Sequence, residues 1–174
     1  MTLEPAQLAE QGKQAFMNKN FDEAAELFRQ AAEGYTVGNA DLMSAAEMRN
    51  NMSVALLQAG KAQESLAAAL DTDQVFAGEN DIKRQGMALG NQAAALEALN
   101  RYDEATEKYD LAAQLFSQAG EGDLRALVMK SSAAIKLKTG KVTASAFKMM
   151  GSLEAKDNPS FFERILKFFL RFIK

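Results

Sequence analysis

Two close pairs of carboxylates, Asp71 with Asp73 and Glu79 with Asp81, come nearest in type and spacing to doing chemistry in this chain. Paired carboxylates can share a proton for acid–base work or gather around a calcium ion. The surroundings favour neither use. The ligand spacing of an EF-hand is absent, and both pairs fall at expected helix ends and in a loop, where acids cap helices and keep the backbone solvated. The chain contains no histidine and no cysteine. That removes the commonest general base, the commonest metal ligand, thiol nucleophiles and disulfides. The stretch AGENDIKRQG carries no phosphate-loop pattern, and Gly86-Met87-Ala88-Leu89-Gly90 reads as close helix packing. No enzyme, no metal and no cofactor are expected.

The elements that would position any site are helical. Ala, Gln, Glu, Leu and Lys dominate 174 residues, Val and Ile are sparse, and only two prolines occur, Pro5 and Pro159. That composition favours helices over strands and is apolar enough for a folded core. The net charge of −3 divides unevenly: residues 159–174 carry +3 and the remainder −6. A nucleic-acid binder would show a basic stripe on its fold, so nucleic acid is not an expected partner. The first residues have neither a basic start nor an apolar run, and no stretch reaches the roughly 18 apolar residues of a spanning helix. A cytoplasmic chain is the expectation.

The sequence repeats. KNFDEAAELFRQAAE, GKAQESLAAALDT, NRYDEATEKYDLAAQ and GKVTASAFKMMGS begin at Lys19, Gly60, Asn100 and Gly140, intervals of 41, 40 and 40 residues. A matching stretch precedes each of them, so each unit reads as helix, tight turn, helix. Turns are expected at Lys19-Asn20, Gly60-Lys61, Asn100-Arg101 and Gly140-Lys141, where Gly or Asn takes the left-handed conformation that stops a helix. Phe21, Ala24, Phe28 and Ala31, and again Tyr102, Ala105, Tyr109 and Ala112, fall on one helix face, large alternating with small. Asp22-Glu23 and Asp103-Glu104 stand in first turns, where carboxylates oppose the positive end of the helix dipole.

On these residues the chain resembles the tetratricopeptide repeat (TPR) family. The resemblance rests on Gly12, Phe21, Ala24, Phe28 and Ala31 in the first unit and on Ala93, Tyr102, Ala105, Tyr109 and Ala112 in the third. The other two units keep Ala62, Ser65 and Thr72, then Val142, Ser145 and Ser152, at matching places. The usual proline after the second helix is missing, and the period exceeds the usual length of roughly 34 residues. The resemblance covers residues 5–153, in units of about 5–38, 40–78, 80–119 and 121–153. It implies an all-α fold, an α-α superhelix of four helix-turn-helix repeats, followed by a C-terminal amphipathic helix over 159–174.

The resemblance also implies a function. In TPR domains the first helix of each unit lines a concave groove that binds peptides. Carried over by register, the first unit offers Ala9, Lys13, Phe16 and Met17, and the second Asn50, Asn51, Val54 and Leu57. The third offers Met87, Gly90, Asn91, Ala94 and Glu97, and the fourth Lys130, Ser131, Ala134, Leu137 and Lys138. Asn51 and Asn91 are equivalent, and family members use Asn there to hold a peptide backbone, since an amide donates and accepts at once. The alternative is that each Asn satisfies a neighbouring helix end. The basic clamp of chaperone-type members survives only as Lys13 and one Asn. The groove is thus shaped for an amphipathic helix or an extended peptide of an unidentified protein.

The last sixteen residues hold five of the eleven phenylalanines. On a helical wheel Phe161, Phe162, Ile165, Leu166, Phe168, Phe169, Phe172 and Ile173 share one arc; Arg164, Lys167, Arg171 and Lys174 lie opposite. A helix of that length reaches about 22 Å, short of the roughly 30 Å hydrocarbon core, so it does not span. Three covers for the apolar arc stay open. It can cap the last repeat; it can lie on an anionic membrane surface; or it can meet a protein surface, its own groove or a second copy of the chain. The expected function is a non-catalytic protein–protein interaction scaffold with this helix as cap or regulatory element. The alternatives are a peripheral membrane adaptor and a homo-oligomer.

Overall fold

Helix stops recur through the chain at intervals of about twenty residues. Lys19, Ala40, Gly60, Asn80, Asn100, Gly120 and Gly140 all have positive φ, between 49° and 77°. Most of them close a helix in the same way. After the first helix, Asn20 N–H donates to Ala15 O and Lys19 N–H to Phe16 O, both at 2.9 Å. The same pair of bonds follows the later helices, with Lys61 reaching Leu56 O and Arg101 reaching Leu96 O. Each pair satisfies carbonyls that the helix leaves orphaned. Three of the four expected turns place the left-handed residue on Gly60, Asn100 and Gly140. In the first turn Lys19 takes that role in place of Asn20.

The computed structural model describes residues 3–38 and 40–140. They form α1 (Pro5–Met17), α2 (Phe21–Gly38), α3 (Leu42–Gln58), α4 (Ala62–Ala69), α5 (Thr72–Gly78), α6 (Ile82–Ala98), α7 (Tyr102–Gln118) and α8 (Gly122–Lys138). No strand occurs among the described residues, so the fold is all-α. By backbone contacts the chain divides into Met1–Ser132 and Ala133–Lys174; the packing described below is that of the first unit. The second helix of the fourth repeat and the amphipathic helix expected over 159–174, with Phe161 to Lys174, lie outside the described residues. No described helix is long and apolar enough to cross a membrane.

Helix starts follow from the sequence. Asp41 and Asp81 accept from Ser44 N–H at 3.0 Å and Arg84 N–H at 2.9 Å, each capping an orphan donor. Pro5 opens α1, and Gln7 Oε1 reaches back to Glu4 N–H at 3.1 Å. Asp22-Glu23 and Asp103-Glu104 occupy the first turns of α2 and α7. Consecutive helices then pack: α1 on α2, α2 on α3, α3 on α4, and α6 on α7. The hairpins join through α4 on α6, α5 on α6 and α3 on α6.

Alanine makes the packing close. Ala24, Ala31, Ala55, Ala88, Ala93, Ala95, Ala105 and Ala112 are wholly buried, so helix backbones approach and aromatic rings fill the gaps between them. Phe28 lies across Gly12, where a Cβ would stand 2.9 Å from the ring; Phe116 lies across Gly86 with the same clearance. Gly86 therefore serves close packing within α6. Ion pairs cross between hairpins as Lys61–Asp22 at 2.8 Å, Arg84–Glu47 at 3.3 Å and Lys83–Glu121 at 2.7 Å. They are exposed, so water and salt screen them and they add little to stability.

The second repeat departs from the expected helix-turn-helix form. Its second helix breaks into α4 and α5, because Leu70 is extended (φ −57°, ψ 138°) and Asp71 is left-handed at φ 63°. Asp71 and Thr72 favour turns over helix interiors, since their short polar side chains compete for backbone groups. Two carbonyls at the break find side-chain donors. Ala69 O accepts from Thr72 Oγ1 at 2.8 Å and from Gln92 Nε2 at 3.0 Å. Leu70 O accepts from the Arg49 guanidinium at 2.8 Å.

Candidate binding face

The residues expected to line a groove stand on α1, α3, α6 and α8. On α1, Lys13 is exposed with Nζ 3.7 Å from Glu10, and Met17 is exposed. Phe16 is half-buried, its ring 5.3 Å from that of Phe21 in an edge-on arrangement. Ala9 is buried. On α3, Asn51, Val54 and Leu57 are half-buried and accessible in part. On α6, Met87 is 44% exposed, while Gly90, Asn91, Ala94 and Glu97 are half-buried. On α8, Lys130, Ala134, Leu137 and Lys138 are exposed and Ser131 is half-buried.

Asn50 is a correction. It is buried, only 7% exposed, with its side-chain amide 3.1 Å from Thr72 Oγ1. It belongs to the polar cluster that supports the α4–α5 break and offers nothing to a ligand. Register alone placed Asn50 beside Asn51, but neighbouring helix positions point about 100° apart, and only one of them can face outward.

Glu97 is already engaged. Its Oε2 accepts from the buried Tyr109 hydroxyl at 2.9 Å, linking α6 to α7. Burial first, then the Glu97 carboxylate, raises the hydroxyl's proton affinity well above the usual phenol range, against a lesser opposing contribution from Ser131. The sign follows from linkage. The unfolded chain loses this proton near a pH of about 10 and the folded chain holds it beyond, so the contribution is complete below about pH 10 and is lost above it. Urea melts between pH 9 and pH 11 should show stability falling more steeply in the native chain than in Tyr109→Phe. Equal slopes would remove Tyr109 as the cause.

Asn51 and Asn91 differ from these neighbours. They occupy equivalent positions on α3 and α6, which pack together. Both are half-buried. Neither amide forms a hydrogen bond with any described residue; the side-chain bonds of this region run from Asn50, Gln92 and Glu97 instead. They do not satisfy a neighbouring helix end, which was the structural alternative for them. An amide left half-exposed without a protein partner keeps two donors and an acceptor for water or a ligand.

Sequence reasoning missed a buried side chain of this region that makes two hydrogen bonds. Gln92 is 1% exposed and donates to Ala69 O and, at 2.7 Å, to Asp73 Oδ1. Buried Ser53 and Ser65 pair nearby at 3.0 Å. A signal was available, because Gln92 interrupts the apolar series Leu89, Ala93, Leu96 on the inner stripe of α6. A polar residue there has to be bonded.

Among the described residues no group of three or more acidic side chains is placed to hold a metal ion. Asp71 and Asp81 act at helix starts, and Glu79 ends α5. The class these features define is an all-α array of helical hairpins with a partly polar face on its first helices. No protein-family model and no curated protein matches the chain.

Proposed function

We propose that this chain is a TPR-like, non-catalytic scaffold that binds a peptide or helix of another protein on the face formed by the first helices of its hairpins. One observation carries the reading: Asn51 and Asn91, equivalent in adjacent hairpins, present half-buried amides with no hydrogen-bond partner among the described residues. Half-burial removes part of their hydration, and a bound main chain would restore their hydrogen bonds. The remaining polar groups of the region are spent on stability, Asn50 at the α4–α5 break and Glu97 on Tyr109. Val54, one turn from Asn51, and Met87 and Ala94, one turn from Asn91, are partly exposed apolar residues on the same helices.

The reading is tested by panning the full-length chain against two phage libraries, one of linear dodecamers and one of helix-constrained peptides. Retained peptides should lose roughly tenfold or more in affinity for Asn51→Ala/Asn91→Ala, the scale of one or two lost hydrogen bonds. The melting temperature of the variant should stay within a degree or two, because neither amide bonds within the fold. Peptides that bind the variant equally well, or no retained peptide from either library, would overturn the proposal.

A further inference from the structure

We infer that α5 is a strap that opens on its own, with Phe76 as its plug in an apolar site between α3 and α6 that takes an aromatic ring.

The strap is weakly built. A helix of seven residues does not hold its shape alone, so its neighbours must hold it. It is bounded by two non-glycine residues in the left-handed conformation, Asp71 at φ 63° and Asn80 at φ 57°, which carries an intrinsic cost for any residue with a Cβ. Asp71 caps no backbone donor. The first backbone bond of the helix, from Val75 N–H to Asp71 O, is 3.4 Å long; its counterpart in α6, from Gln85 N–H to Asp81 O, is 2.9 Å. Only Thr72 and Phe76 are buried. The Thr72 end is latched, its hydroxyl 2.8 Å from Ala69 O and 3.1 Å from Asn50, with Asp73 beside it accepting from Gln92. From Val75 to Gly78 there is no polar side chain, so the far end is held by backbone bonds and by the Phe76 ring.

The ring has a seat of its own. It clusters with Ala46 of α3 and Ala88 of α6, and Met43 and Val75 pack against them. This cluster shares no residue with the one around Phe28. Withdrawing Phe76 therefore empties one small cluster and leaves the other intact, which is the condition for local opening. Alanine is too short to close over the gap, and Met43 alone has the length and flexibility to lean into it. The vacated space is apolar and the size of a ring. A polar group there would lose hydration and find no side-chain partner. A partner that inserts an aromatic side chain binds the open strap better than the closed one, and so draws the chain toward it.

The chain has no cysteine, so one introduced thiol reports the opening. Ala88 in the Phe76 cluster and Ala31 in the Phe28 cluster are both wholly buried. In the full-length chain, dithionitrobenzoate should modify Ala88→Cys at least about tenfold faster than Ala31→Cys, at a rate that low urea leaves unchanged. Hydrogen exchange of the native chain should agree, with amides of 75–80 exchanging without the urea dependence of those in α2. Equal rates with the same rise in urea would overturn the strap. The site is tested with toluene, the phenylalanine side chain as a free molecule. Toluene should bind Phe76→Ala in calorimetry and raise its melting temperature, while the native chain, its site filled, should not respond. A folded Phe76→Ala that takes up no toluene would overturn the site. A Phe76→Ala chain that loses its helices as a whole would overturn the strap, because the rest of the fold would then depend on the plug.

Discussion

Replacing Phe28 by alanine should cost the chain about 3–5 kcal/mol, the largest single loss available in the first hairpin. The ring is 3% exposed and lies in a cluster of buried residues, with Ala9, Ala24, Ala31 and Leu56 among its members. It fills the notch over Gly12, where an added Cβ would stand only 2.9 Å away. The two positions are therefore coupled. Gly12→Ala alone should destabilise by about 1–3 kcal/mol through overpacking, yet in the Phe28→Ala background the added methyl enters the vacated space. A double-mutant cycle by urea denaturation should show a favourable interaction of at least about 1 kcal/mol. Additive losses would mean that the ring and the glycine do not share one space.

The second large effect is expected at Gln92. Gln92→Leu keeps most of the volume but withdraws donors from Ala69 O and from the Asp73 carboxylate, both within the α4–α5 region. Leaving a buried acceptor without its partner costs about 1–3 kcal/mol, more when it is charged. Thr72 still serves Ala69 O, so the greater part of the loss should come from Asp73. Gln92→Leu/Asp73→Ala should therefore recover part of the stability. Hydrogen exchange should localise the effect, with amides of 68–76 losing protection before those of α1 and α2. Uniform loss through the chain, or no recovery in the double variant, would contradict this account of the break.

The turns and buried faces were legible because each rests on local rules. Left-handed stops need Gly or Asn at Gly60, Asn100 and Gly140, and alternating large and small residues in α2 and α7 admit only one buried face. Lys19 shows where the rule weakens: the two bonds closing α1 hold a lysine in a conformation with an intrinsic cost. The α4–α5 break was not legible. Its polar side chains come from α3 and α6, Arg49 and Asn50 on one side and Gln92 on the other. Such tertiary pairings leave no periodic trace. The candidate face was half-legible: register found Asn51 and Asn91, and only the orientation of the helices could separate Asn50 from them.

The break has a further consequence, for how the chain could lengthen or shorten over time. Where hairpins meet only through small apolar residues, a forty-residue unit can be duplicated or lost and the new neighbours still fit. The second and third hairpins do not meet in that way. Gln92 of the third closes the backbone of the second at Ala69, and Arg84 of the third pairs with Glu47 of the second. Separating them would leave acceptors inside the second hairpin that no generic neighbour supplies. Exposed ion pairs also join the other hairpins. The buried bond from Gln92 ties these two more closely, so a break between them would cost the second hairpin more than a break elsewhere.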